Sequence, residues 1–351
     1  MLFRSYRLAA VAIAAYLGIG FPLPVPGKPS GLSMLLYVPR LPLMMVVLFG
    51  MYALMWPKRA NWDWSRYAWS AVMIVSVLLS VRSTFRLQQG ERQEYAYRVP
   101  LRMEGFLNAE PQLTGDDILY STFTLNGYRI LAQQHDGVQS LSGTSAATDD
   151  LSFASDSERL LIERTGNMQS GIIDARNPNH ALVSHAREPM LSSDSSDLAF
   201  MRDDHGRGRL MLRRAFDSST AEVPLTPPQL NVYEASLRSG QEYAFSAIEQ
   251  NGSPRVFLTD AAHTNAPVLI AQSRYPAISP DGRWMAYSHL EHGVWNLWLR
   301  NQGTGLTQRV ADVPCNQIQP SWESDSKTLL YGTDCGRSLW FTAIARRKVL
   351  P

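Results

Sequence analysis

The stretch YPAISPDGRWMAYS, Tyr275–Ser288, followed by a glycine-containing turn and WNLWLR, Trp295–Arg300, decides the fold. Short apolar and aromatic runs are separated by Ser-Pro-Asp-Gly, a tight-turn sequence in which Asp accepts backbone N–H bonds and Gly takes positive φ. A second copy follows at once: QPSWESDSKTLLYGT, Gln319–Thr333, a turn at Gly336, and SLWFTA, Ser338–Ala343.

The same unit recurs through the last 250 or so residues. A polar turn residue returns at Asp116, Asp156, Asp194, Ser239, Asp281 and Asp325, with intervals of 40, 38, 45, 42 and 44. A turn glycine comes after each: Gly127, Gly166, Gly206, Gly252, Gly293 and Gly336. A strand-like run lies between the two markers, as in ILYSTF from Ile118 and DLAFMR from Asp197, and another succeeds the glycine, as in YRILAQ and RLMLRR. Six copies of about 42 residues, each with room for four short strands, predict an all-β six-bladed propeller rather than a sandwich. Blades are expected at about 110–145, 146–186, 187–229, 230–273, 274–315 and 316–351. Only RRKVLP comes after SLWFTA, so AYRVPLRM, residues 96–103, is expected to supply the outer strand of blade six and close the ring.

The unit ISPDGRWMAYS resembles the repeat of TolB-type propellers, which belong to the WD-repeat-like class and also cap some serine oligopeptidases. The resemblance covers residues 98–351 and implies the fold. The small α/β domain that precedes the TolB propeller has no counterpart here, so the partner contacts of that family are not carried over.

The first 90 residues differ in kind. They hold nine basic residues and one acid, Asp63, whereas from Glu91 onward 30 acids face 24 Lys and Arg. Apolar runs at about 8–27, 35–57 and 64–81 predict three transmembrane helices preceding the propeller. Arg4, Arg7, Lys58, Arg59 and Arg66 on one side outweigh Lys28 and Arg40 on the other, which predicts a cytoplasmic N-terminus and a periplasmic propeller on a bacterial inner membrane.

Cys315 and Cys335 lie in loops expected on one face of the last blade and are read as a disulfide in an oxidising compartment. His289 and His292 lack a third ligand and are read as solvated turn residues, with no metal and no cofactor expected. The turn Asp203, Asp204, His205, Arg207, together with Glu249, His289, His292 and Arg337, is the expected binding rim. No G-x-S-x-G, H-E-x-x-H or phosphate-loop pattern occurs, and the chain runs only to Pro351 where oligopeptidases continue into a hydrolase domain, so no catalytic residue is assigned. The acidic propeller excludes nucleic acid as a partner. The expectation is therefore a non-catalytic binding or scaffold module for a protein partner or envelope glycan. A sensor acting through partner helices and a hydrolase or lyase in the propeller mouth, using converging carboxylates such as Asp203, Asp204, Glu249, Glu291 and Asp334, are the alternatives.

Overall fold

The computed structural model describes residues 93–94 and 96–351, apart from 103–106, 125, 142–147, 157, 167–168, 193–195, 205, 215–220, 238–241, 249–251, 261–267, 314 and 335–341. The expected membrane spans at 8–27, 35–57 and 64–81 lie outside the described residues. Among the described residues no helix is long and apolar enough to cross a membrane. The chain divides into two compact units, the larger of which is formed by 96–334 and 341–351.

That larger unit is an all-β six-bladed propeller. Blade one contains β1 (Leu107–Thr114), β2 (Asp117–Thr124), β3 (Gly127–Gln133) and β4 (Val138–Ser140). Blade two contains β5 (Thr148–Ser155), β6 (Leu160–Gly166), β7 (Gln169–Asp174) and β8 (Ala181–Ser184). Blade three has β9 (Ala186–Leu191), β10 (Asp197–Asp204), β11 (Arg207–Arg214) and β12 (Glu222–Pro224), and blade four has β13 (Asn231–Leu237), β14 (Glu242–Ile248), β15 (Arg255–Asp260) and β16 (Val268–Ala271). Blade five is β17 (Ser273–Ile278), β18 (Trp284–Glu291), β19 (Val294–Asn301) and β20 (Thr307–Arg309); blade six is β21 (Gln317–Trp322), β22 (Thr328–Thr333) and β23 (Ala343–Lys348). Each sheet is an antiparallel meander in chain order.

The turn markers act as their chemistry requires. The Asp156 carboxylate accepts the N–H groups of Glu158 and Arg159, each at 2.6 Å, and Asp325 accepts those of Lys327 and Thr328 at 2.8 and 2.9 Å. Gly127, Gly206 and Gly293 turn the chain between second and third strands with φ of 92°, 80° and 81°.

A propeller blade is covered on both faces, so its middle strands bury consecutive rather than alternate residues. The core is accordingly split into six apolar clusters, one at each blade boundary. Leu119 of β2 faces blade two with Ile130, Phe153 and Ile162, while its neighbour Tyr120 faces blade six with Leu131, Leu330 and Ile344. Likewise Phe245 of β14 packs toward blade three and Ala244 toward blade five. Each buried Leu, Ile or Phe contributes about 1.5–3 kcal/mol.

Polar latches stitch the same boundaries. Asp149, Asn231 and Asn316, at the entry of blades two, four and six, accept the N–H groups of Tyr128, Gly208 and Trp295 of the preceding blade, at 2.9, 2.8 and 2.9 Å. Between blades six and one, the Asn108 N–H donates to Thr342 Oγ1 at 2.7 Å and its side-chain amide to the Thr342 carbonyl at 2.9 Å.

Blade six differs from its sequence reading in one element. SLWFTA is the third strand expected from sequence; its residues 338–341 lie outside the described residues, and the strand that pairs with β22 is β23, which begins at Ala343 opposite Thr333. Ala343, Ile344 and Ala345 fill the narrow space beside Leu330 and Tyr331, and Arg346 reaches Glu323 at 2.5 Å, contacts that a strand placed five residues earlier would forgo. Along the outer edge of β23 runs the segment around Arg98. Val99 N–H donates to Ile344 O at 2.9 Å, Arg346 N–H donates to Tyr97 O at 2.7 Å, and Arg98 bridges to Ala345. Arg347 lies 4.2 Å from the centre of the Tyr97 ring, and Arg102 donates to the carbonyls of His135 and Asp136 in blade one.

Candidate functional site

The inner strands β1, β5, β9, β13, β17 and β21 surround a cavity of about 350 Å³ on the propeller axis. Its wall is shaped by bulges. In four blades the register of the inner strand shifts at an X-Pro pair: Glu110-Pro111, Glu188-Pro189, Tyr275-Pro276 and Gln319-Pro320. A bulge leaves one residue without a ladder partner, a place where the missing N–H of proline does no harm. The residue before each proline takes a left-handed φ of 51°, 49°, 53° and 53° in turn, a conformation that costs a non-glycine residue of order 1–3 kcal/mol.

These bulges carry the polar wall of the cavity. Glu110 and Gln319 meet at the boundary between blades six and one. The Glu110 N–H donates to Gln319 Oε1 and the Gln319 amide to Glu110 Oε1, both at 3.3 Å. The Glu188 N–H donates to the buried Glu163 carboxylate at 3.0 Å, and Ser152 Oγ donates to that same oxygen. Glu234 forms a close ion pair with Arg274, whose guanidinium lies 4.8 and 5.4 Å from the Tyr275 and Tyr233 ring centres. Burial alone would lower the Arg274 pKa, but Glu234 and the two tyrosines outweigh it and hold the group above its ordinary value. Arg274 is therefore permanently charged and committed to Glu234. Apolar surface completes the wall through Met190, Leu237, Ile278 and Trp322, the last fixed by its indole N–H to Ala277 O at 2.9 Å.

The residues singled out from sequence sit elsewhere. Asp203 is exposed at the end of β10 and pairs with Arg187 at 3.0 Å, and Arg207 donates to Pro228 O at 3.4 Å. Asp204 ends β10 opposite Arg207. His289 is no solvated turn residue: it lies within β18, its Nδ1 2.9 Å from Ser273 Oγ and its ring edge-on to Trp298. His292 is exposed in the adjoining turn with φ 48°. Glu291 pairs with Arg309 at 3.6 Å, and Asp334 accepts two bonds from Asn316 at 2.7 Å. None of these lines the axial cavity. His205, Glu249 and Arg337 lie outside the described residues. Cys315 is buried and disulfide-bonded; the sequence holds one other cysteine, Cys335, which also lies outside the described residues. Among the described residues no three His, Cys, Asp or Glu side chains are grouped to hold a metal ion.

The signal that would have found the cavity wall is a proline five residues ahead of the turn aspartate. Pro111, Pro189, Pro276 and Pro320 precede Asp116, Asp194, Asp281 and Asp325 by that same spacing.

No family model and no curated protein sequence matches the chain. Solved structures do match. TolB from Acinetobacter baumannii is 13% identical with a TM-score of 0.50, over 80% of this chain and 71% of that one. An oligogalacturonate lyase in complex with manganese is 12% identical with a TM-score of 0.50, over 69% and 76%. A puromycin-hydrolyzing peptidase from Mycobacterium tuberculosis is 12% identical with a TM-score of 0.50 over 74% of this chain, which spans only 55% of the peptidase. At such identities the likeness is one of fold, and the fold is the TolB-like six-bladed propeller.

Proposed function

We propose that the chain is a non-catalytic docking module of the bacterial cell envelope. Residues 8–27, 35–57 and 64–81 anchor it in the inner membrane, the propeller stands in the periplasm, and the axial cavity receives part of a protein partner or an envelope glycan. The observation that carries this reading is the cavity itself: every blade contributes to it, and its walls combine apolar surface with a few fixed polar groups, as binding pockets do. Of the carboxylates that the sequence offered for a propeller-mouth enzyme, Asp203 pairs with Arg187, Glu291 with Arg309 and Asp334 with Asn316, all away from the cavity, which weakens that particular catalytic reading. The disulfide at Cys315 and the excess of basic residues at Arg4, Arg7, Lys58, Arg59 and Arg66 support the periplasmic placement.

The test is site-specific photo-crosslinking in intact cells. A p-benzoylphenylalanine in place of Ser321, in the cavity wall, is expected to give a discrete adduct, and the same group in place of the outward-facing Leu306 is not. Adducts from Leu306 alone would overturn the assignment of the cavity. A reporter enzyme active only in the cytoplasm, fused after Pro351, is expected to be inactive; activity would overturn the periplasmic placement.

A further inference from the structure

We propose that the axial cavity recognises an uncharged saccharide, one or two sugar rings presented by an envelope glycan. This rests on the docking reading above and chooses between the two occupants named there. Two independent features of the wall point to hydroxyl groups as what it meets.

The first is that the wall both donates and accepts. Gln112 and Gln319 each carry an amide nitrogen with two N–H groups, of which one is spent, on Phe153 O at 3.2 Å and on Glu110 Oε1 at 3.3 Å. Ser236 Oγ accepts the Ile278 N–H at 3.1 Å, and neither its own hydroxyl hydrogen nor that of Ser321 has an acceptor among the described residues. Ser155 bonds to Gln112, Ser279 to Asp281 and Trp322 to Ala277 O, so those donors are committed. At least four donors therefore remain for a ligand, two amide and two hydroxyl.

The acceptors are the carboxylates of Glu110, Glu188 and Glu234. Glu110 is bonded to Gln319, Glu188 through its N–H to Glu163, and Glu234 to Arg274, so all three count as hydrogen-bond acceptors with lone pairs to share and not as free charges. Donor and acceptor stand close together. Gln112 follows Glu110 by two residues on β1, Ser236 follows Glu234 by two on β13, and Ser321 follows Gln319 by two on β21. A hydroxyl satisfies neighbours of both kinds at a single atom. An ammonium or guanidinium, which only donates, would leave the amide and hydroxyl donors unanswered, and a carboxylate or phosphate, which only accepts, would stand against the glutamates.

The second feature is form. Met190, Leu237, Ile278 and Trp322 supply apolar surface, which suits the C–H faces of a pyranose whose edges are polar. The wall is also stiff: prolines and left-handed residues fix four of its bulges, and the Trp322 indole is pinned by its N–H, so the groups are held in place before a ligand arrives. A cavity of about 350 Å³ suits one or two rings. A protein segment that ended inside it would bring a charged terminus.

The full chain, in micelles of a detergent without a sugar head group, is to be titrated by calorimetry with four trisaccharides: maltotriose, chitotriose, the cationic N-trimethylated glucosamine trimer and the anionic trigalacturonate. At least one of the two neutral sugars is expected to bind, at least tenfold more tightly than either charged one. Ser321→Ala is expected to weaken that binding about three- to tenfold, the loss of one hydrogen bond, with no change in thermal stability. Ser236→Ala/Ser321→Ala is expected to weaken it further, and Asp312→Asn, an exposed acid outside the lining, to leave it unchanged. No binding by either neutral sugar, tighter binding of a charged one, or undiminished binding by Ser321→Ala would overturn the proposal. Mass spectrometry of the photo-adduct formed from position 321 separates the two levels. A carbohydrate adduct is expected; a polypeptide adduct would overturn the saccharide and leave docking intact, whereas no adduct would overturn docking itself.

Discussion

Gly208 offers a sharp test of how the blades are joined. It lies in β11, where its N–H donates to Asn231 Oδ1 of the next blade at 2.8 Å. A Cβ at this position would stand 2.2 Å from the Val232 carbonyl oxygen and 2.9 Å from a guanidinium nitrogen of Arg187. The first contact is with backbone and cannot be relieved by a side-chain rotation, so blades three and four would have to separate locally by about 1 Å. Overpacking of this kind costs about 1–3 kcal/mol, and the stretched latch forfeits about 0.5–1.5 kcal/mol more. The stiffer unfolded chain of an alanine variant returns about 0.4–1 kcal/mol. Gly208→Ala is thus expected to lose about 2.5 kcal/mol, which for a domain of this size lowers Tm by roughly 5–10 °C. Gly303→Ala is the control: the nearest atom to its added Cβ is Asn301 Oδ1 at 3.6 Å, an ordinary contact, and no stability loss beyond about 0.5 kcal/mol is expected. Tryptophan-fluorescence melts of the full chain in detergent read both. Equal melting of Gly208→Ala and wild type, or equal damage from the two substitutions, would refute the latch.

Three further outcomes are expected. Asn316→Ala leaves the buried Trp295 N–H without its acceptor and takes one donor from Asp334, costing about 2–3 kcal/mol in urea titrations; a loss under about 1 kcal/mol would contradict that role. Val99→Pro removes the N–H that bonds to Ile344 O, so the ring closure should weaken by about 1–3 kcal/mol and the Arg346 amide, which bonds to Tyr97 O, should exchange hydrogen faster; unchanged Arg346 exchange would mean that closure does not depend on this segment. Burial disfavours the charge on Asp325, but the N–H groups of Lys327 and Thr328 and the Thr328 hydroxyl outweigh it and hold the carboxyl below its ordinary value. A depressed folded-state pKa stabilises the fold above about pH 4 and ceases to do so as pH falls through the folded value, so Asp325→Ala should cost more stability at pH 7 than at pH 3; an equal cost at both would count against the carboxylate.

What the amino-acid sequence determined by itself is local. A hairpin strand, a polar turn residue and a turn glycine are each specified within about ten residues, and their sixfold return, from Asp116 to Asp325 and from Gly127 to Gly336, was enough to indicate the propeller and its blade number. Even there, the third strand of blade six, β23, is hard to see in the sequence, because the apolar aromatic run SLWFTA looks more like a strand than AIARRK does. Only the space beside Leu330 and Tyr331 and the reach of Arg346 to Glu323 select the latter. The binding rim shows the same division more strongly. Charged hairpin tips such as Asp203, Arg207 and Glu291 stand out in a sequence, yet they are consumed by neighbours that sequence distance conceals. The cavity wall takes Glu110, Glu188, Glu234, Tyr275 and Gln319 from five blades, and its first and last members are 209 positions apart yet share two hydrogen bonds. Which side chains point to the axis depends on a bulge in each inner strand, since one extra residue reverses the face that every later residue presents. A proline marks the bulge in four of the blades, but which side chains then meet around the axis is a property of the closed ring, and tertiary structure decided it.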